Sequence, residues 1–140
     1  KQVLQKLDHT AIYLLIAGSY TPFTLGVLRG PWGWALLSLV WAIAGTGIAL
    51  EFAFGKKVHR LAVGLYVAMG WLVVVAAKPL VAAVPWPGLA WLAAGGLLYT
   101  GGVAFYAAKG MRYAHAVWHL FVLAGSACHF VAVLRFSGRA

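Results

Sequence analysis

The sequence predicts an all-α fold, a polytopic transmembrane helix bundle of five helices that occupies residues 1–140 as a single domain. Three observations carry that expectation. Hydrophobic side chains make up 64% of the chain, against the ~45–50% of ordinary soluble domains. Charged residues supply only 9%, where about 25% is usual, so a soluble domain of this size would lack the polar surface it needs. The apolar residues also come in successive runs of about 17–23 residues, the length that crosses a ~30 Å hydrocarbon core. The runs do not alternate with the period of a membrane β-strand, and so apolar a chain has to bury surface rather than stay disordered.

The first helix is read over 4–28; its apolar run, Thr10 to Leu28, follows the polar opening Lys1, Gln2, Gln5, Lys6, Asp8 and His9 and precedes the break Arg29-Gly30-Pro31. Pro22 frees a carbonyl and is expected to kink it, with Ser19 and Thr21 bonding back to their own helix; the wall of a substrate cavity is the other reading of this stretch. The second helix, 32–54, ends at Gly55 and leads into the basic junction Lys56, Lys57, His59 and Arg60. The third, 58–78, is expected to stop at Lys78 and Pro79, and Val84-Pro85-Trp86-Pro87-Gly88 reads as a stiff turn. The fourth covers 89–108, closed by Lys109 and Gly110, and the fifth covers 113–134. Short connections make neighbouring helices antiparallel. Gly45 with Ala49, Gly64 with Ala68, Gly95 with Gly102, and Gly125 with Ala132 are small residues at spacings that let helices approach closely. Trp32, Trp34, Trp86, Trp91 and Tyr113 cluster near helix ends, where amphipathic rings favour the membrane interface.

Charge and cysteine content narrow the function. The formal net charge is +9, but the basic residues are scattered between apolar runs and form no stripe suited to nucleic acid. Membrane lipids, through their anionic headgroups, are the expected partners. The single cysteine, Cys128, excludes an internal disulfide or a four-thiolate metal site. Lys1, Lys6, Lys56, Lys57, Arg60, Lys109 and Arg112 fall on the face of the N-terminus, and Arg29, Lys78, Arg135 and Arg139 on the other. The positive-inside rule therefore puts the N-terminal end in the cytoplasm of an integral membrane protein.

Only histidines and the two acidic residues, Asp8 and Glu51, remain as strong metal ligands. His115 and His119 lie one turn apart on the last helix, a spacing at which two imidazoles meet one ion. His129 shares their face but lies about 15 Å further along the axis, deep enough to be an interhelical hydrogen-bonder. The topology puts Asp8 and His9 at the same depth as His115 and His119. Asp8 can be a direct ligand, the anchor of a ligand histidine, or the holder of a metal-bound water. Imidazole donors favour zinc over magnesium. Glu51 is expected to be a solvated or ion-paired residue facing the basic junction, with His59 and Arg60 addressing headgroups. Ser126 and Cys128 read as packing residues.

Two motifs then carry a resemblance. The stretch from Leu7 through Asp8-His9-Thr10 to Tyr20-Thr21-Pro22, and the stretch His115-Ala116-Val117-Trp118-His119 through His129-Phe130, resemble the third and seventh helices of the haemolysin III family. Gly95 to Tyr106 is similar to the sixth. That family stands among the adiponectin and progestin receptor-like seven-helix membrane proteins, and the chain resembles helices three to seven only, a truncated version of the bundle. The resemblance implies one zinc ion bound by His115, His119 and a third histidine from an upstream helix, with Asp8 holding a zinc-bound water. His129 matches a deeper histidine that is not a ligand. A bacterial plasma membrane is the implied location.

Two classes of function follow. One is a zinc-dependent hydrolase of lipid amides or esters, with Asp8 as the catalytic residue that positions the water. The alternative is a non-enzymatic membrane protein, either a cytolysin or pore former or a sensor of membrane state, or else a fragment inactive for want of the first zinc histidine. The polar groups thin out away from one face, against a simple pore.

Overall fold

A computed structural model describes residues 2–107 and 112–138; the expected helix stop at Lys109 and Gly110 and the basic residues Lys1 and Arg139 lie outside the described residues. Helix α1 spans Gln2–Leu25 and α2 spans Pro31–Phe54. A 3-10 turn, Gly55–Val58, leads into α3, His59–Trp71; a second 3-10 turn, Leu72–Ala76, leads into α4, Ala77–Ala83. Helix α5 covers Trp86–Ala107 and α6 covers Ala114–Phe136.

The expectation of five membrane-length helices is corrected. Among the described residues four helices have that length, α1, α2, α5 and α6, with 24, 24, 22 and 23 residues. The expected helix 58–78 is instead broken into α3 and α4, inside a helical trace that continues from Pro31 to Ala83. Three stretches are long and apolar enough to cross a membrane, Pro31–Ala83, Trp86–Ala107 and Ala114–Phe136. Helix α1 matches the last two in length but carries Ser19, Tyr20, Thr21, Pro22 and Thr24 in its second half.

The break in the third segment has a physical cause. The Tyr20 hydroxyl of α1 donates to the Met69 carbonyl at 2.7 Å and accepts from the Val73 amide at 3.0 Å. Those are the two groups that an unbroken α-helix would bond to each other, so the hydroxyl has entered the ladder and opened it. The β-branched run Val73-Val74-Val75 favours the change, and Pro79 does not stop a helix. It sits in the first turn of α4, where no amide donor is needed. The Trp86-Pro87-Gly88 part of the expected turn likewise forms the first turn of α5.

Helices α1 and α2 are antiparallel, and their register is read from side chains. His9 meets Glu51, the Tyr13 ring lies on Gly47, and the Trp41 indole donates to Thr21 Oγ1 at 3.2 Å. Helix α3 runs parallel to α1, tied by Tyr20 and by the Tyr66 hydroxyl, which reaches the His9 carbonyl at 3.4 Å. Helices α5 and α6 form an antiparallel pair in which the His129 ring rests on Gly95 and the Tyr99 ring on Gly125. Gly45 and Gly64, expected at helix contacts, instead face open space. The aromatic residues expected at interfaces are exposed, Trp86 most of all at 79%.

Two apolar clusters hold the bundle. One gathers Ile12, Tyr13, Val40, Tyr66, Met69 and Trp118; the other gathers Phe23, Leu36, Leu80, Val84 and Phe136. Between α1, α3, α5 and α6 lies a cavity of about 410 Å³ with an almost wholly apolar lining, from Tyr66 and Trp118 at one end to Leu28 and Leu36 at the other. Leu97, Leu120, Leu123, Phe130 and Leu134 point outward, as a lipid-facing surface requires.

The Gly47 contact makes a test. A Cβ at residue 47 would strike the Tyr13 ring, whereas one at residue 45 would meet nothing within 4 Å. Gly47→Leu is expected to destabilise the bundle by about 1–3 kcal/mol. Gly45→Ala is expected to be neutral or to stabilise by up to about 1 kcal/mol. Thermal unfolding in detergent measures both.

Candidate metal centre

The first two turns of α6 present His115 and His119 on one face, with their Nε2 atoms 3.0 Å apart. Helix α1 brings Asp8 to the same place. Its Oδ1 lies 3.7 Å from His119 Nε2 and its Oδ2 lies 3.9 Å from His115 Nε2. The three ligating atoms fall within 4.8 Å of one another. Two imidazole nitrogens each about 2.05 Å from a tetrahedral ion stand about 3.3 Å apart; the two rings are close to that spacing and the carboxylate oxygens lie about half an ångström wider. The carboxylate is too far for good hydrogen bonds to either ring. The geometry thus brings three donors together without satisfying the carboxylate, and this donor set fits a zinc-type ion. The side chains of His115, His119 and Asp8 are 60%, 44% and 28% exposed, which leaves a side of the cluster open to water or a further ligand.

The aromatic shell fixes the two histidines. The buried Trp118 ring packs on His115 and His119 with centroids 5.5 Å and 4.9 Å away. Trp118 also lines the apolar cavity, so one side chain borders both the polar cluster and the interior.

Other sequence-expected residues go elsewhere. His129 lies apart from the cluster, with Nε2 3.3 Å from the Leu92 carbonyl. Ser126 does more than pack, since its hydroxyl meets Tyr99 Oη at 2.8 Å. Glu51 is not a solvated residue facing the basic junction; it is 3% exposed and its Oε1 lies 3.0 Å from His9 Nδ1. His59 does not address headgroups, because its Nε2 lies 3.1 Å from the Tyr106 hydroxyl. Ser19, Tyr20 and Thr24 line the cavity, while the Ser19 and Thr24 hydroxyls are spent on carbonyls of their own helix.

The buried His9–Glu51 pair is what sequence reasoning missed. Its only signal is a matched spacing. His9 and Tyr13 are one turn apart on α1, and Gly47 and Glu51 are one turn apart on α2. A ring fits over a glycine in the register that pairs the acid with the imidazole.

The model of the family described as "Haemolysin-III related" matches residues 1–130. The chain belongs to the haemolysin III family. It is 47% identical over 134 residues to "Hemolysin-3 homolog" of Bacillus subtilis, covering 96% of this chain and 63% of that protein. It is 48% identical over 128 residues to "Hemolysin-3" of Bacillus cereus, covering 91% of this chain and 58% of that one. At 33% identity over 133 residues it is similar to the human "Monocyte to macrophage differentiation factor", with 92% of this chain and 53% of that protein covered. This haemolysin III chain therefore spans about six-tenths of the length of its bacterial relatives. No solved structure matches it.

Metal binding at the cluster should appear as stability. Zinc at a free concentration of one hundred times its Kd is expected to stabilise the fold by about 2.7 kcal/mol. The shift should vanish in His119→Ala and shrink in Asp8→Ala, as read from thermal unfolding with zinc and with a chelator.

Proposed function

We propose that this chain is the metal-binding part of a haemolysin III membrane protein that engages lipid from within the bilayer without covalent chemistry, as a cytolysin or a sensor of membrane state. The convergence of Asp8, His115 and His119 carries the metal half of this reading. The apolar cavity supports the lipid half, since its 410 Å³ falls within the range of small-molecule sites. Its lining offers no continuous polar path, so a water-filled pore is disfavoured. The names of the bacterial relatives are in keeping with a membrane-directed role. We place the Asp8 end at the cytoplasmic face of a bacterial plasma membrane, from the bias of basic residues. Zinc is the ion we assign, with a third histidine contributed by the longer chain such relatives possess.

A second reading is favoured by Trp118, which touches both the cluster and the cavity. On that reading the protein hydrolyses a lipid amide or ester. A divalent ion at the cluster supplies Lewis acidity and a lowered water pKa. The cavity holds the apolar chain, Trp118 directs it toward the interface, and Asp8 orients a water and takes its proton at a carboxylate oxygen.

Elemental analysis of detergent-purified protein, followed by mass spectrometry of bound lipid, tests the proposal. About one zinc per chain is expected, lost in His115→Ala and His119→Ala, together with lipid that is depleted in the cavity-filling variant Val122→Trp. Absence of both zinc and lipid overturns it. Zinc-dependent release of fatty acid, abolished in Asp8→Asn, would decide for the hydrolase.

A further inference from the structure

The ligands of the cluster are carried by different parts of the bundle, Asp8 by α1 and the two histidines by α6. A line of side chains outside the cluster joins them. His59 of α3 stands at its centre. Its ring stacks on His9, the neighbour of Asp8, with centroids 5.3 Å apart and planes at 28°. Its Nε2 lies 3.1 Å from the Tyr106 hydroxyl. The Tyr106 ring packs in turn on His115, centroid to centroid 5.9 Å, and on Trp118 at 5.0 Å. At the far end Glu51 holds His9 through the 3.0 Å contact.

We infer that Glu51, His9, His59 and Tyr106 are positioning residues of the metal centre, setting the separation of Asp8 from His115 and with it metal affinity and geometry. The inference rests on the metal-centre reading. Packing alone is a poor account of these residues. Glu51 and His9 are each 3% exposed, and a buried ion pair is often no more stabilising than apolar residues of the same volume. The line also leaves Glu51 Oε2 and His59 Nδ1 buried without a partner among the described residues, a cost that apolar side chains would avoid. What the polar line provides is direction. A stacked ring and a single hydrogen bond fix His59 between His9, which adjoins Asp8 in the chain, and Tyr106, whose ring packs on His115.

The Tyr106→Phe variant deletes one oxygen from the line and keeps the packing; Glu51→Gln removes the charge at its far end. Tyr99→Phe, which breaks the Tyr99–Ser126 contact away from the cluster, is the control. Zinc Kd is measured by competition with a chromophoric chelator on the whole chain in detergent. Unfolding of the metal-free protein and the visible spectrum of the cobalt form are recorded beside it. Zinc affinity is expected to fall about 10–100-fold in Tyr106→Phe and Glu51→Gln, with an altered cobalt spectrum and no change in either for Tyr99→Phe. If Glu51→Gln does not fold, Tyr106→Phe carries the decision. Unchanged affinity and spectrum in Tyr106→Phe, with only lower metal-free stability, overturns the inference while leaving the metal centre standing. A parent chain that binds no zinc removes both.

Discussion

A buried carboxylate in an apolar bundle has to have a partner, and the partner of Glu51 is His9. Removing one member of such a pair leaves a buried polar group without its partner, which costs about 1–3 kcal/mol or more. The pair therefore admits one register of α1 against α2. That register lays Tyr13 on Gly47, brings α1 close enough for Tyr66 to reach the His9 carbonyl, and sets the turn that carries Asp8. The metal cluster depends on it, although neither residue is a ligand.

The positions of the apolar segments were legible in the chain because burial in lipid demands length and composition, and both are properties of one segment at a time. The boundaries at Gly30-Pro31 and at Gly55 were legible for the same reason. Contacts between segments were not. His59 and Glu51 read as interfacial residues, because polar side chains near a basic junction usually are, His9 read only as lying at the depth of the paired histidines, and only the helix register brings the three together. The third segment read as one helix because the group that opens it, Tyr20, lies some fifty residues earlier. The i, i+4 histidines and the depth-matched Asp8 were legible because helix geometry and topology suffice to bring them together.

The arrangement divides the labour between two environments. The cluster lies where the helices begin, half exposed and rich in nitrogen and oxygen donors. The cavity lies beside it, lined almost wholly by apolar side chains. Trp118 belongs to both, since it lines the cavity and packs on His115 and His119. Membership of the haemolysin III family gives this pairing of an apolar compartment and a candidate metal cluster a membrane context.

The Tyr20 bridge bears on the order of assembly. The Met69 carbonyl and the Val73 amide have given up their mutual bond and are satisfied by a residue of the first helix. The Met69 carbonyl also accepts from the Leu72 amide, but in hydrocarbon the Val73 amide cannot wait for water to supply a substitute. Synthesis runs from the N-terminus, so α1 is already present when the third segment enters the bilayer. The hydroxyl thus acts as a template that a later helix finds in place, and a circular permutant that delivers α1 last would have to insert its broken segment without the Tyr20 partner of the Val73 amide.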